Sequence, residues 1–306
     1  MPLPNFFIVG APQAGTAFLC ACLVQHPQVY MSHLKEPNYF ASELHPENFG
    51  AVVTSWGDYL KLFDNVSNQV AIGEASPSYL WSQTAARNMA SRVPHARVII
   101  NLRNPVDRAF SHYIQAFAAG STNRTFREEI DAALRPIHTP SGLDRSLLEF
   151  GQYYEQIKRY QLAFSRPQLH ISLFEDLQRT PAALVADLLA FLGVDPDVKL
   201  DLSKRPLEAP FSRLNGLGHF LKKWRVWPHL RDLLPQSRLR SILIRSRAQL
   251  AMNPADRASL IDYYHDDIRR LAELLNRDLS SWLRPAQYDQ LKTAPVRRAD
   301  NPRNPR

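Results

Sequence analysis

The first two dozen residues constrain the fold more than any other part of the chain. Phe6-Phe7-Ile8-Val9 is a short, wholly apolar run; Gly10-Ala11-Pro12-Gln13-Ala14-Gly15-Thr16 follows, and then a helix-like stretch over Thr16–Gln25. A strand that is apolar on both sides must be covered on both sides, and a tight glycine-bearing loop running straight into a helix opens a βα unit. Further β-type runs lie at Val29-Tyr30-Met31, Val70-Ala71-Ile72, Arg97–Leu102 and Leu169–Phe174. Helical patterns separate most of them, at Ser82–Ser91, Val106–Phe117, Ser146–Phe164 and Ala182–Leu192. This alternation predicts an α/β fold, a P-loop-like three-layer arrangement with a central parallel sheet flanked by helices.

After Gly193 the pattern becomes helical. Asn253 is placed to cap a helix that starts at Pro254, and Leu260, Ile261, Tyr264, Ile268, Leu271 and Leu275 give that helix one apolar face, expected to pack on the same sheet. No Pro/Gly/Ser-rich linker divides two cores. Residues 1–283 therefore read as one domain, and 284–306, dominated by Pro, Arg and Asn, as a basic and disordered tail.

Composition excludes several classes. With 45% apolar and 22% charged residues the chain has a globular balance. It lacks both a run of apolar residues long enough to span a bilayer and a basic-then-apolar leader, so a cytoplasmic location without a membrane span is expected. Cys20 and Cys22 lie too close in one helix to staple the fold and read as reduced, buried residues. No His/Cys/Asp/Glu spacing suggests a metal site. The net charge of +8 is uneven: Lys204–Arg247 carries a local +9 and residues 284–306 a further +4. That distribution suits an anionic ligand or surface and equally a solvated face; nucleic-acid binding has no motif behind it and is not expected. Trp224 and Trp227, beside Lys222, Lys223 and Arg225, read as a stacking surface or as core cover.

The loop after the first strand aims backbone N–H groups and a helix N-terminus at one point, which favours an anion. Gly10-x-x-x-x-Gly15 matches the first half of a nucleotide triphosphatase loop, but Thr16-Ala17 replaces the Lys-Ser/Thr that such a loop needs. This disfavours a P-loop kinase, and no GxGxxG supports a dinucleotide reading.

Four stretches taken together resemble the sulfotransferases that use 3′-phosphoadenosine 5′-phosphosulfate (PAPS), in particular their bacterial and heparan-sulfate-type branch. They are Phe7–Thr16, Lys35-Glu-Pro-Asn-Tyr-Phe40, Gly73-Glu-Ala-Ser-Pro-Ser-Tyr79 and Val98–Ser111. Weaker echoes are Phe174–Leu177, Phe191–Gly193 and Asp278–Leu283. The resemblance implies a sulfotransferase that moves a sulfuryl group to an acceptor hydroxyl, on a carbohydrate or small metabolite, without a metal. It places Gln13, Ala14, Gly15, Thr16, Ala17 and Phe18 around the 5′-phosphosulfate, and Arg103 and Ser111 on the 3′-phosphate. A guanidinium at a strand end suits a phosphate independently, because its fork matches two oxygens. Asp107 and Ser111 share a face of the following helix.

Glu36 is the expected general base, since sulfuryl transfer requires an acceptor hydroxyl to lose its proton during attack. On its own residues Lys35-Glu36-Pro37 reads more simply as a turn carboxylate paired with Lys35, and Arg103 as a surface ion-pair member; the resemblance tips both. Glu74 ranks below Glu36, in a structural or acceptor-binding part. Variable connections at Ala41–Gln69 and Ala119–Leu148, with Lys204–Arg247, are expected to frame the acceptor. Two departures from the family pattern stand out. Gln13 occupies the position of the loop lysine, and Ala75 follows Glu74 where a lysine is common in heparan-sulfate-type members. Gln13 also counts as catalytic, as the residue nearest the leaving phosphate. A neutral donor there weakens leaving-group stabilisation more than ground-state binding, so a catalytically weakened PAPS-binding protein of the same fold is the alternative. Lys35 or a base from Lys204–Arg225 is a candidate source of the missing charge.

Overall fold

The computed structural model describes residues 2–44, 52–119, 121–135, 142–203 and 252–285. Five strands form one parallel sheet: β1 (Phe6–Gly10), β2 (Val29–Met31), β3 (Ala71–Ala75), β4 (Arg97–Leu102) and β5 (Leu169–Leu173). Their order is β2-β3-β1-β4-β5, with β1 at the centre. Each β-type run expected from the sequence is one of these strands.

The double coverage inferred from Phe6–Val9 is realised by alternation. Phe6 and Ile8 join a cluster with Leu19 and Leu23 of α1 (Thr16–Leu23) and Leu188 and Leu192 of α9 (Pro181–Leu192). Phe7 and Val9 face the other way, into a larger cluster. There they meet side chains of α3 (Ala85–Arg92), α4 (Pro105–Ala118), α7 (Tyr153–Ala163) and α10 (Pro254–Leu275). All four β1 side chains are fully buried, each contributing about 1.5–3 kcal/mol of hydrophobic stabilisation. The remaining helices are α2 (Trp56–Lys61), α5 (Phe126–Ala133), α6 (Gly142–Glu149) and α8 (Phe174–Arg179).

Asn253 caps α10 as expected, accepting from the Ala255 amide at 2.9 Å, and Leu260, Ile261, Tyr264, Ile268 and Leu271 pack into the larger cluster. The single helix expected over Ser146–Phe164 is instead two, α6 and α7. A Cβ at Gly151 would lie 2.8 Å from the Tyr264 hydroxyl oxygen and 2.9 Å from Pro105, so the break is where α10 docks. Tyr264 donates to the Leu148 carbonyl at the end of α6 (2.8 Å), and the Asp267 carboxylate accepts the Tyr153 and Tyr154 amides at the start of α7 (2.8 and 3.1 Å). Both helix ends thus find partners on a third helix. Burial pushes the Asp267 carboxyl up to about 6 despite those two bonds.

The tail 284–306, apart from its first two residues, and the basic stretch Lys204–Arg247 with Trp224 and Trp227 lie outside the described residues. Among those described, no helix is long and apolar enough to cross a membrane. The chain leaves β1 towards the β2 edge and crosses back from β3 to β4 on the other side of β1. Such a reversal opens a crevice at the carboxyl ends of the central strands, and β1, β3 and β4 all send their following loops there.

Candidate active site

Gly15 is the pivot of the β1–α1 loop. It caps α1 at φ 86°, and a Cβ there would meet Leu177 at 2.9 Å and the Phe174 ring at 3.1 Å, so only glycine fits both the left-handed backbone and the space. The N–H groups of Gly15, Thr16 and Ala17 find no acceptor among the described residues, as expected of a helix start that offers its amides to a ligand. Ala14 turns inward: its methyl is in the core, its amide bonds the Ala11 carbonyl at 3.2 Å, and its own carbonyl accepts from the Asn101 side chain. Ser172 donates to Asn101 Oδ1 at 2.8 Å, so β4 and β5 together brace the loop from below. Thr16 is buried, Ala17 is exposed, and Phe18 is half-buried against the smaller apolar cluster.

The structure brings Arg103 and Ser111 to this loop across about ninety residues of chain. Arg103 Nη1 donates to the Gln13 carbonyl at 2.9 Å, and Ser111 Oγ donates to Gln13 Oε1 at 3.0 Å. The Gln13 amide group also donates to Gln115 Oε1, one turn beyond Ser111 on α4. Asn104 and Pro105 explain the placement of Arg103: Asn104 Oδ1 accepts the Val106 amide at 3.0 Å and Pro105 fills the first helical position, so α4 begins at once and Arg103 stays at the strand end. The guanidinium lies over the Phe174 ring, 4.7 Å from its centroid, and Tyr153 donates to the Arg103 carbonyl at 2.9 Å. Burial works against its charge, while Asp107 and Glu175 support it. Asp107 itself pairs with Arg257 of α10.

Glu36 and Glu74 form the second half of the site. Glu36 follows β2 in a left-handed conformation, φ 54°, and Asn38 repeats it at φ 54°. The Glu36 side chain is 38% exposed and pairs with the 55% exposed Lys35 at 3.2 Å. Glu74, on β3, is fully buried and accepts from Ser76 (2.8 Å) and Tyr59 (3.2 Å), with Tyr79 near it. Burial pushes its carboxyl up to about 7; the surrounding hydroxyls oppose the rise and the charge of Glu36 adds to it. The buried Cys20 thiol on α1, pushed up to about 12 by desolvation, feels Lys35, Glu36 and Glu74. Glu74 stands opposite Phe7 of β1 in the sheet, three residues before Gly10 opens the loop. Of the four non-glycine residues with positive φ among those described, Gln13, Glu36 and Asn38 are at this site; the fourth, Asn276, ends α10. Held strain of this kind concentrates at functional positions.

Sequence reasoning passed over Asn101, Gln115, Asn38, Ser76 and Tyr153. Gln115 was within reach as the residue four beyond Ser111, and Asn101 as the one polar side chain in the buried part of β4. The others carry no signal in their spacing. Among the described residues no group of three or more His, Cys, Asp or Glu side chains is arranged to hold a metal ion.

A family model described as the sulfotransferase domain matches residues 3–205, which contain the β1–α1 loop, Glu36, Glu74, Arg103 and Ser111. A crystal structure of a sulfotransferase from Alicyclobacillus acidocaldarius is 32% identical, with a TM-score of 0.73, covering 93% of this chain and all of that one. The bifunctional heparan sulfate N-deacetylase/N-sulfotransferase 3 of Mus musculus is 28% identical over 291 residues, 92% of this chain and 31% of its own length. Its paralogue 2 from Homo sapiens is 30% identical over 202 residues, 63% of this chain and 22% of its own. The chain thus spans less than a third of the length of these two relatives.

Proposed function

The chain belongs to the sulfotransferase domain family, and from that premise we propose that it moves a sulfuryl group from PAPS to an acceptor hydroxyl on a carbohydrate or small metabolite, within one domain over residues 1–283. The observation that carries this reading is the meeting of Arg103 and Ser111 on Gln13: a guanidinium and a hydroxyl stand next to a row of unused helix amides, as a ligand with separated phosphate groups requires.

PAPS, when bound, supplies the sulfuryl group and a phosphate leaving group. The amides of Gly15, Thr16 and Ala17 meet its 5′ end, with Phe18 beside them, and Arg103 and Ser111 hold the 3′-phosphate. Glu36 takes the proton of the acceptor hydroxyl as that oxygen bonds to sulfur and the bond from sulfur to the phosphate oxygen opens. A positioned carboxylate contributes roughly 10²- to 10⁴-fold to such a step. Gln13 offers an N–H to the departing phosphate but no charge. Because two of the relatives named above are heparan sulfate N-deacetylase/N-sulfotransferases, amines and glycans belong in the acceptor panel beside simple alcohols.

The donor half is tested by calorimetry with 3′,5′-bisphosphoadenosine and its analogue lacking the 3′-phosphate, on the wild type and Arg103→Ala. The wild type should prefer the bisphosphate by roughly ten- to a hundredfold and the variant should lose that preference, since a hydrogen bond to a charged group is worth about 1.5–3 kcal/mol. Equal wild-type affinity for both ligands would remove the donor site as drawn. One observation favours a second reading, a PAPS-binding protein of weakened catalysis: the loop position of the family lysine is neutral, and its amide is engaged by Ser111 and Gln115. Tight bisphosphate binding with no transfer to any acceptor, and no gain in Gln13→Lys, would decide for it.

A further inference from the structure

We propose that Glu74 is a positioning residue for the transfer reaction: through the hydroxyl of Ser76 it fixes the 36–40 turn and so the direction of the Glu36 carboxylate. The inference rests on the reading of Glu36 as base given above.

One chain of hydrogen bonds joins the turn to Glu74. The Asn38 amide donates to Ser76 Oγ at 3.2 Å, and Ser76 donates onward to Glu74 Oε2 at 2.8 Å. Beside it the Phe40 amide donates to the Tyr79 hydroxyl at 3.4 Å, within electrostatic range of Glu74. The Asn38 side chain then returns to the residue that matters, donating to the Glu36 carbonyl at 2.8 Å while accepting from Ser78. Glu74, Ser76, Asn38, Phe40 and Tyr79 are all buried, so water does not substitute for any of these bonds.

The chemistry of the end group gives the bridge its polarity. A hydroxyl has one proton; when it gives that proton to a carboxylate, its lone pairs are left for an amide N–H. Glu74, an acceptor at both oxygens, therefore orients Ser76 to receive the Asn38 amide. A glutamine of the same shape offers an oxygen to only one of Ser76 and Tyr59 and turns an N–H₂ group towards the other, whose hydroxyl must then accept instead of donate. The turn needs such a hold because Glu36 and Asn38 both sit at φ 54°. Asn adopts that region through local hydrogen bonding, whereas Glu has no such help. Released, Glu36 returns to the ordinary region and its side chain swings away from the loop. No Lys or Arg side chain bonds Glu74 among the described residues, so it is not the inner half of an ion pair.

Glu74→Gln, Asn38→Gly, Ser76→Ala and Ser76→Thr are compared with the wild type and Glu36→Gln, following kcat, KM for PAPS, bisphosphate affinity by calorimetry, and amide exchange over residues 33–42. Asn38→Gly tolerates the left-handed backbone but removes the tether, and it serves where Glu74→Gln does not fold. The expected result is a loss in kcat of roughly ten- to a hundredfold in Glu74→Gln and Asn38→Gly, the size of effect that an ångström-scale misplacement produces. KM for PAPS and bisphosphate affinity should stay within about twofold, since the donor contacts are untouched. Ser76→Thr, which keeps the hydroxyl, should recover most of what Ser76→Ala loses. Wild-type kcat in Glu74→Gln and Asn38→Gly, beside a dead Glu36→Gln, overturns the proposal, as does a loss shared equally by kcat and bisphosphate affinity. If the wild type transfers sulfuryl to nothing, the reading of function fails instead, and exchange decides the positioning claim. Faster exchange confined to 36–40 in Glu74→Gln or Asn38→Gly supports it, and unchanged exchange there overturns it.

Discussion

Gln13 concentrates the chemical question of this protein in one side chain. Its backbone carbonyl and its amide oxygen receive Arg103 and Ser111, so the residue organises the groups proposed to bind phosphate while contributing no charge of its own. Charge-assisted hydrogen bonds are roughly twice as strong as neutral ones, and an electrostatic donor to a leaving oxygen is worth about 10²- to 10³-fold in rate. Gln13→Lys should therefore raise kcat by at least about tenfold with a smaller change in bisphosphate affinity, because the new charge acts mainly on the bond being broken. The backbone does not oppose the exchange, since φ 67° is already occupied by a residue with a Cβ. Steady-state assays of both proteins with one acceptor check this; equal kcat values would mean that another cation, Lys35 among them, already serves the leaving phosphate.

At the scale of elements, α4 connects the donor groups. Its start is fixed by Asn104 and Pro105, Arg103 precedes that start, and Ser111 and Gln115 lie one turn apart on the face that meets the loop. Asn104 is bound from outside as well: its amide donates to Glu175 Oε1 of α8 at 3.2 Å. Asn104→Ala should cost about 1 kcal/mol of stability, the usual value of an N-cap, read as a lower denaturation midpoint in urea. The same substitution should weaken bisphosphate binding, because Arg103 depends on where α4 begins. A stability loss with unchanged binding would mean that α7, through the Tyr153 bond to the Arg103 carbonyl, holds the guanidinium without help from the cap.

For the whole molecule, Glu74 marks where β3, α2 and the turns that follow β2 and β3 converge. Its ordinary value of 4.5 is raised to about 7, first by burial, with Tyr59, Tyr79, Ser76 and Glu36 facing it and Tyr160 and Cys20 within electrostatic range. A folded state that holds its proton more tightly than the unfolded chain loses stability as pH climbs from about 4.5 to about 7, by up to roughly 1.4 kcal/mol per unit. Glu74→Gln should flatten that decline when unfolding free energies at pH 5 and pH 8 are compared; an equal slope in both proteins would place the titration elsewhere. The ionisation that weakens the fold is also what makes the bridge to the Glu36 turn accept in one direction, so stability and positioning oppose each other at one carboxyl. The amino-acid sequence alone determined the βα alternation, the double-faced β1, the cap at Asn253, and the choice of Gln13, Arg103 and Ser111, which meet in the structure, because apolar period, helix-end chemistry and a resemblance in local motifs are written in neighbouring residues. The split between α6 and α7, the bracing of the loop by Asn101, and the bridge from Glu74 through Ser76 to Asn38 were decided only by the tertiary structure. Each depends on side chains remote in the chain meeting where water is excluded, and a buried hydrogen bond has no periodicity by which spacing could announce it.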